Sequence, residues 1–338
     1  MISRQAILAT AALLPALGAF SPAAAQPAEL MPSTMAIPVT SLSFMMEFVA
    51  EDMKFYEKHG VAMKTTEING LGAINALIAG SVDFAQPSGV SLTRAAARGQ
   101  PLLAIVELSD RIVVQAVLRK DIADAAGFDP KAPLAQRAAL LKGRTIAVDS
   151  VSSVIDAYLG LLAKNAGFTH DDIHIAPMGP PEMVAALAAK KIDGFAMSLP
   201  WPLLPVVAGT AVMVASGPDG DTVGLDPFTN TVVAARPATC EKQPKLCEAV
   251  GQAFAETSAW MHAHPDDAEA LLQKRFATLD PKVFHASFET ALKMTPNPPV
   301  PTAKGIENTD NYNIQAGLMK PDEKLADYST LFTDKYAK

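Results

Sequence analysis

The sequence predicts an α/β protein of two similar Rossmann-like lobes joined by a two-strand hinge. The first observation is a repeated phrase: residues 76–85 read ALIAGSVDFA and residues 186–196 read ALAAKKIDGFA. Each phrase combines small residues typical of a helix with a polar turn and a short apolar strand, entered through Asp83 or Asp193. Three more pairs of apolar segments match at the same offset of 110 positions, namely 35–41 with 145–151, 61–66 with 171–176 and 101–106 with 211–216. We therefore expect two lobes of similar topology.

Helical patterns lie between the matched strands. Residues 44–59 form one such pattern, which Gly60 closes, and residues 154–166 form its counterpart, which Gly167 closes. Glycine commonly ends a helix, because it adopts the left-handed conformation at little cost. Short strands that alternate with helices are typical of parallel α/β sheets. Residues 120–139, by contrast, are expected to form a long charged loop.

Two strands are predicted to cross between the lobes, at residues 111–118 and 228–235. The helices that follow have no counterpart in the repeat, so we expect them to pack on the first lobe. They are predicted at residues 244–262, 265–276 and 281–294. This assigns residues 26–116 and 227–338 to lobe I, and residues 117–226 to lobe II. Two lobes on a two-strand hinge form a clamshell that binds a ligand between them.

The N-terminal residues 1–25 have the features of a secretory signal peptide. Arg4 is the only charged residue there, an apolar run follows it, and three alanines at 23–25 supply a cleavage site. We therefore expect a periplasmic mature protein with neither a lipid anchor nor a membrane span. The full sequence has a net charge of −7. Removal of the signal peptide removes the positive charge of Arg4, so the mature protein has a net charge of −8. An acidic chain with dispersed Lys and Arg is a poor candidate for nucleic-acid binding, so no such partner is expected.

The chain has two cysteines, Cys240 and Cys247. In an oxidising compartment their short spacing favours a local disulfide over the alternative of two free thiols. His262 and His264 precede two aspartates and could suggest a metal site, but ligands two positions apart diverge on a helix. The sequence contains no G-x-S-x-G or H-E-x-x-H motif and no complete dinucleotide-binding motif. We therefore expect no metal, no cofactor and no catalytic residues.

Serine-rich turns precede two matched helices. Ligands of parallel α/β sheets bind beyond the carboxyl ends of strands, where the N–H groups of the next helix favour anions. The contacts predicted at these helix starts are Ser41, Ser43 and Phe44 in lobe I and Ser150, Ser152 and Ser153 in lobe II. The alternative for each serine is a role as a helix cap alone.

The third strands of the two lobes also end in candidate ligand contacts. The contacts predicted there are Gln86, Ser88, Ser198 and Trp201, although Trp201 could instead be a core residue. Met178 and Phe44 would make part of the cleft apolar. Arg111, close to the hinge, could bind a carboxylate or sulfonate through two hydrogen bonds. Its alternative is a salt bridge with Asp110 or Glu107.

Three segments carry a resemblance to a known family. They are residues 55–63 (FYEKHGVAM), 73–85 (AINALIAGSVDFA) and 141–148 (LKGRTIAV). The chain resembles, over nearly its whole mature length, the periplasmic solute-binding proteins of nitrate/sulfonate/taurine-type ABC importers and the related proteins that bind thiamine-pyrimidine precursors. The resemblance implies a type II periplasmic-binding-protein fold and delivery of a small-molecule ligand to an ABC permease in the inner membrane.

The expected function is therefore binding, without catalysis, of a small organic anion between the lobes by a monomer. The anion would be a sulfonate or carboxylate with an apolar or aromatic body. One alternative is a neutral heterocycle such as a thiamine pyrimidine precursor. A second alternative is an enzyme of the same two-lobed fold in cofactor biosynthesis, against which the export signal argues.

Overall fold

The computed structural model describes residues 29–151 and 153–338. The predicted signal peptide at 1–25 and the predicted contact Ser152 therefore lie outside the described residues. The strands among the described residues are β1 (Met31–Ile37), β2 (Val61–Glu67), β3 (Phe84–Ala85), β4 (Leu103–Ser109), β5 (Gln115–Arg119), β6 (Thr145–Val148), β7 (His174–Pro177), β8 (Gly194–Met197), β9 (Ala211–Ser216) and β10 (Thr231–Ala235). The α-helices among them are α1 (Met45–Asp52), α2 (Phe55–Lys58), α3 (Gly72–Ala79), α4 (Gly89–Ala97), α5 (Lys120–Ala125), α6 (Leu134–Ala138), α7 (Val154–Asn165), α8 (Pro180–Ala188), α9 (Leu203–Val207), α10 (Pro237–Lys242), α11 (Pro244–Ala263), α12 (Pro265–Arg275), α13 (Pro281–Lys293) and α14 (Ala303–Gln315).

The strands form two sheets of the same topology. Sheet A has the order β2-β1-β3-β10-β4, and sheet B has the order β7-β6-β8-β5-β9. In each sheet the first three strands are parallel, and the fourth strand is antiparallel to both of its neighbours. Strand β5 follows β4 of sheet A in the chain, and β10 follows β9 of sheet B, so the chain crosses twice between the sheets. The predicted α/β class, with two similar halves, is confirmed.

The aspartates of the repeated phrase tie the third strand of each sheet to the first. The Asp83 carboxylate accepts hydrogen bonds from the amide of Thr34 at 3.0 Å and from its hydroxyl at 2.9 Å. At the matched place in sheet B, the Asp193 carboxylate accepts a hydrogen bond from the amide of Thr145 at 3.0 Å. Each aspartate thus satisfies a backbone donor of a neighbouring strand, at the middle of β1 and at the first residue of β6. The repeat in the sequence therefore includes a structural contact that is used once in each sheet.

The two crossover segments, residues 110–114 and 217–230, are hydrogen-bonded to each other. The amide of Gly217 donates to the carbonyl oxygen of Val114 at 3.0 Å. A Cβ atom at Gly217 would lie 2.2 Å from the carbonyl oxygen of Ile112, so the close approach of the two segments requires glycine. The crossovers thus form one paired connection between the sheets.

The crossovers do not coincide with the predicted crossing strands. Strand β5 begins at Gln115, so the first crossover precedes the predicted lobe boundary at residue 116. Strand β10 begins at Thr231, so the predicted boundary at residue 226 falls inside the second crossover.

Two further segments differ from the prediction. The single helix predicted at 44–59 is divided into α1 and α2, because Lys54 adopts a left-handed conformation with a φ of 57°. The predicted loop at 120–139 contains α5 and α6. Arg137 of α6 donates to the Asp221 carboxylate at 2.7 and 3.0 Å, and this largely buried pair holds the segment against sheet B. A charged composition alone therefore did not indicate that the segment is ordered.

The C-terminal helices pack on sheet A, as expected from the sequence. Phe254 of α11, with Phe284 and Phe288 of α13, belongs to the same buried cluster as Phe84 of β3. The predicted disulfide is present and joins α10 to α11 through Cys240 and Cys247. Within 29–151 and 153–338, none of the helices has the length and apolar character that crossing a membrane requires.

Candidate functional site

Three helical segments begin at one cavity between sheets A and B. Ser41 precedes a short 3-10 turn that leads into α1, and its hydroxyl accepts a hydrogen bond from the amide of Ser43 at 3.1 Å. Ser88 caps α4 by accepting from the amide of Ser91 at 3.2 Å. Ser153 caps α7 by accepting from the amide of Asp156 at 3.1 Å. These three serines therefore cap helical segments, which is the alternative role that the sequence predicted for each of them.

The cavity has a volume of about 640 Å³ and is lined by residues of both sheets and of the crossovers. Eight residues predicted from the sequence lie on its wall, namely Ser41, Ser43, Phe44, Gln86, Ser88, Ser150, Ser153 and Ser198. Its volume falls in the range that is typical of small-molecule sites. A cavity of 250 Å³ elsewhere is lined by residues of 126–140 alone and does not extend between the sheets. The serine-rich helix starts therefore converge as their matched positions in the repeat predict.

Three other predicted contacts do not lie on the wall of this cavity. Arg111 donates to the carbonyl oxygen of Pro218 at 3.0 Å, and its Nε lies 3.7 Å from the Asp110 carboxylate. Arg111 therefore links the two crossovers. These contacts agree better with the alternative considered for Arg111, a salt bridge with Asp110, than with a ligand contact. Met178 and Trp201 are partly buried and pack against an apolar cluster that includes Ala147 of β6 and Phe195 of β8. The core role considered for Trp201 is the one that this packing supports.

Arg94 is a cavity residue that sequence reasoning missed. It lies on α4, two turns after Ser88, and the cavity wall includes the same face of this helix at Val90 and Ser91. Within the described part of the chain no carboxylate lies within ion-pair distance of Arg94, and its buried Nε has no hydrogen-bond partner. The spacing of Ser88, Ser91 and Arg94 places the three side chains on one helical face, which is the signal that could have identified it.

A carboxylate from the opposite half also lines the cavity. Asp149 follows β6 and accepts a hydrogen bond from the hydroxyl of Ser153 at 2.5 Å. Among the described residues, the wall thus carries one cation, Arg94 of the sheet A half, and one exposed anion, Asp149 of the sheet B half. The cavity offers different charges on its two sides.

Behind the cavity wall lies a buried carboxyl group, Glu47 of α1. Its side chain is fully buried, and three side-chain groups donate to it: the Tyr56 hydroxyl at 2.7 Å, the Thr65 hydroxyl at 2.5 Å and Nε2 of Gln86 at 2.6 Å. Burial raises the pKa of Glu47 to about 7, although these three hydrogen bonds act in the opposite direction. Glu47 does not itself line the cavity but contacts Gln86, which does.

The side chains around the cavity were compared with the ligand sets that metal ions require. The described residues contain no group of three or more His, Cys, Asp or Glu side chains that could hold a metal ion. His264, one of the two histidines that could suggest a metal site, lies 3.9 Å from the exposed Asp267 carboxylate. Helix N-termini and an unpaired arginine around an apolar cavity can hold an anion.

Two sheets of this topology, with a ligand-sized cavity at the carboxyl ends of their strands, define the class of periplasmic binding proteins. Solved structures agree with this fold. A protein from Bordetella bronchiseptica RB50 superposes with a TM-score of 0.70 at 18% identity, covering 92% of this chain and 97% of that chain. The alkanesulfonate-binding protein SsuA from Xanthomonas axonopodis pv. citri, bound to MOPS, superposes with a TM-score of 0.64 at 18% identity, covering 90% of this chain and 99% of that chain. The periplasmic nitrate-binding protein NrtA from Synechocystis PCC 6803 superposes with a TM-score of 0.59 at 16% identity, covering 88% of this chain and 84% of that chain.

The chain belongs to the NMT1-like family, whose sequence model matches residues 36–274. No curated protein sequence matches the chain. The resemblance to nitrate/sulfonate-type binding proteins that the sequence analysis identified is confirmed.

Proposed function

We propose that the protein is the periplasmic substrate-binding component of an ABC importer and that it holds a small organic anion in the cavity between its two lobes. The lobes would comprise residues 26–116 with 227–338, and residues 117–226. The observation that carries the proposal is the convergence of three helix starts and Arg94 on one cavity.

An anion is the ligand that these groups favour. The first N–H groups of α1, α4 and α7 lack partners within their own helices and carry a partial positive charge. Serine caps satisfy one of these donors at each of α4 and α7, which leaves others for a ligand. Arg94 adds a full charge and the planar geometry that suits a carboxylate or sulfonate.

The rest of the wall favours a ligand with an apolar body. Phe44, Leu71, Val113 and Ile155 contribute to the cavity, and Leu71 is 61% exposed. Burying such surface against a ligand contributes about 25 cal/mol per Å². A small hydrated ion would leave these side chains without a partner. We therefore favour a sulfonate or carboxylate with an aliphatic or aromatic body.

The proposed mechanism is closure around the ligand without chemical change. A ligand shifts the open–closed equilibrium only if it binds the closed state better, and contacts from both lobes supply that difference. Gln86, Ser88 and Arg94 would contribute from lobe I, and Ser150 and Ser153 from lobe II. The bending would occur in the paired crossovers. Delivery to a permease and a monomeric state complete the proposal, together with export by the signal peptide at 1–25.

The relatives support this proposal by analogy. SsuA is an alkanesulfonate-binding protein and NrtA is a nitrate-binding protein. A neutral heterocycle is a second candidate, and the exposed carboxylate of Asp149 favours it because it could accept hydrogen bonds from ring N–H groups.

Isothermal titration of the purified mature protein tests the proposal. The panel contains alkanesulfonates, benzenesulfonates, benzoates, an aminopyrimidine and glucose as a sugar control. We expect binding of sulfonates or carboxylates, and a loss of about ten- to a hundredfold in affinity in Arg94→Met. Arg98→Met is the matched control, because Arg98 is exposed one turn further along and does not line the cavity.

Two results would contradict the proposal. Binding of the aminopyrimidine alone, with no effect of Arg94→Met, would favour the heterocycle. Recovery of a chemically altered ligand after incubation would favour an enzyme.

A further inference from the structure

Helix α14 contacts the first turns of two helices that begin on opposite sides of the cavity. Nδ2 of Asn313 donates to the carbonyl oxygen of Val90, the second residue of α4, at 3.2 Å. The hydroxyl of the neighbouring Tyr312 donates to the carbonyl oxygen of Val154, the first residue of α7, at 2.5 Å. Val90 and Val154 both line the cavity. Two adjacent residues of α14 thus connect a helix start of the sheet A half to a helix start of the sheet B half.

Buried side chains fasten α14 to α4 and to the second crossover. Nδ2 of Asn313 also donates to the hydroxyl of Thr93 in α4 at 2.8 Å. The hydroxyl of Thr309 donates to the carbonyl oxygen of Thr229 in the second crossover at 2.9 Å. These four side chains are all buried. Helix α14 is therefore a fixed part of the sheet A half.

Tyr312 extends from α14 into the buried cluster that surrounds sheet B. Its side chain is 0% exposed, and its ring packs edge to face against Phe228 with the ring centroids 5.5 Å apart. Tyr158 of α7 belongs to the same cluster. The carbonyl oxygen of Val154 serves the backbone hydrogen bonds of α7 and has a second lone pair for the Tyr312 hydroxyl. The bond from Tyr312 is thus an addition to α7, and its effect is to connect the two halves.

We propose that Tyr312 is a positioning residue that holds the start of α7 opposite the start of α4, and so fixes the separation of two helix N-termini at the cavity. The inference rests on the proposed function, in which these N-termini bind the anion and the halves move about the crossovers. During such a motion α14 stays with the sheet A half, so the hydrogen bond from Tyr312 to Val154 must break. This bond therefore favours the described arrangement over arrangements in which the halves are rotated apart.

Distances between spin labels on the two halves, measured by pulsed electron paramagnetic resonance without ligand, test the inference. Ala79→Cys on α3 and Ala185→Cys on α8 supply the labelling sites, because both residues are exposed and neither lines the cavity. The native cysteines are bonded to each other and take no label. Tyr312→Phe keeps the ring and removes the hydroxyl. Loss of one hydrogen bond shifts a conformational ratio by about two- to tenfold, so we expect a broader distance distribution or a second population in this variant.

Tyr158→Phe is the matched control. Tyr158 is also 0% exposed, and its hydroxyl donates to the backbone carbonyl oxygen of Asp221 at 2.6 Å. The Asp221 carboxylate accepts hydrogen bonds from Arg137 and from the amide of Ser216, so this contact lies within the sheet B half. The control therefore loses the same group from the same kind of acceptor without changing a contact between the halves. We expect Tyr158→Phe to keep the wild-type distance distribution even if its melting temperature falls as far as that of Tyr312→Phe.

Two results would overturn the inference. One is a distance distribution in Tyr312→Phe that matches that of the wild type. The other is equal broadening in Tyr312→Phe and Tyr158→Phe, which would indicate a general loss of stability and no specific connection between the halves. Neither result bears on anion binding, which the calorimetric titrations test separately. Conversely, a failure to bind anions would contradict the proposed function and leave the distances between the halves unaffected.

Discussion

Raising the pH from 5 to 8 should lower the free energy of unfolding, because buried carboxyl groups must then ionise inside the folded protein. Burial raises the pKa of Glu47 from 4.5 to about 7, and burial raises that of Glu107 on β4 to about 8. In this window the folded state binds more protons than the unfolded state, so stability falls as the pH rises through it. Below about pH 4.5 both states are protonated and the effect disappears.

The magnitude follows from the size of the shift. Each unit of pKa difference corresponds to about 1.4 kcal/mol. The shift of Glu47 therefore reduces the free energy of unfolding by about 2 to 3 kcal/mol between pH 5 and pH 8. Glu107 acts in the same direction up to about pH 8. Groups with a lowered pKa, such as Asp172, change stability only below their usual titration range and so do not oppose the effect in this window.

Urea unfolding at pH 5 and pH 8, followed by circular dichroism, measures the effect. Glu47→Gln should resemble the wild type at pH 5, where both carry a neutral side chain. At pH 8 this variant should be more stable than the wild type by about 2 kcal/mol. Glu57→Gln is the control, because Glu57 is exposed and should leave the pH dependence unchanged. A wild-type protein that is equally or more stable at pH 8 than at pH 5 would refute the reasoning.

Three further predictions follow from the fold. Gly217→Ala should lower the free energy of unfolding by about 1–3 kcal/mol, since its Cβ would lie 2.2 Å from the carbonyl oxygen of Ile112. Gly179→Ala is the control, because its Cβ would meet no atom within 4 Å. Its free energy of unfolding, measured in the same urea titration, should stay within about 1 kcal/mol of the wild type. Unreduced protein should gain no alkyl groups by intact mass after thiol alkylation, because Cys240 and Cys247 are bonded; two added groups would contradict this. Saturating ligand should reduce the radius of gyration in small-angle scattering, and an unchanged radius would contradict closure by the crossovers.

The sequence by itself determined the features that depend on local interactions. The offset of the repeated phrase identified two similar halves, and Gly167, with a φ of 80°, ends α7 as its position predicts. Prolines marked the first residues of α11, α12 and α13, because proline suits the first turn of a helix. The serine caps at the cavity were also predictable, since capping depends on residues only two or three positions apart.

Only the tertiary structure decided which charged groups lie at the cavity. The sequence does not distinguish Arg94 from Arg111. In the structure Arg94 lies on the cavity wall with no counterion among the described residues, whereas Arg111 links the crossovers. Glu47 would be taken for a surface residue of an amphipathic helix, but the packing of α1 on sheet A buries it against Gln86, 39 positions further along the chain. The pairing of a buried carboxyl with a distant amide depends on how helix and sheet pack together. Local sequence patterns cannot encode that contact, because the residues that bury Glu47 and donate hydrogen bonds to it are brought together by the fold from separate parts of the chain.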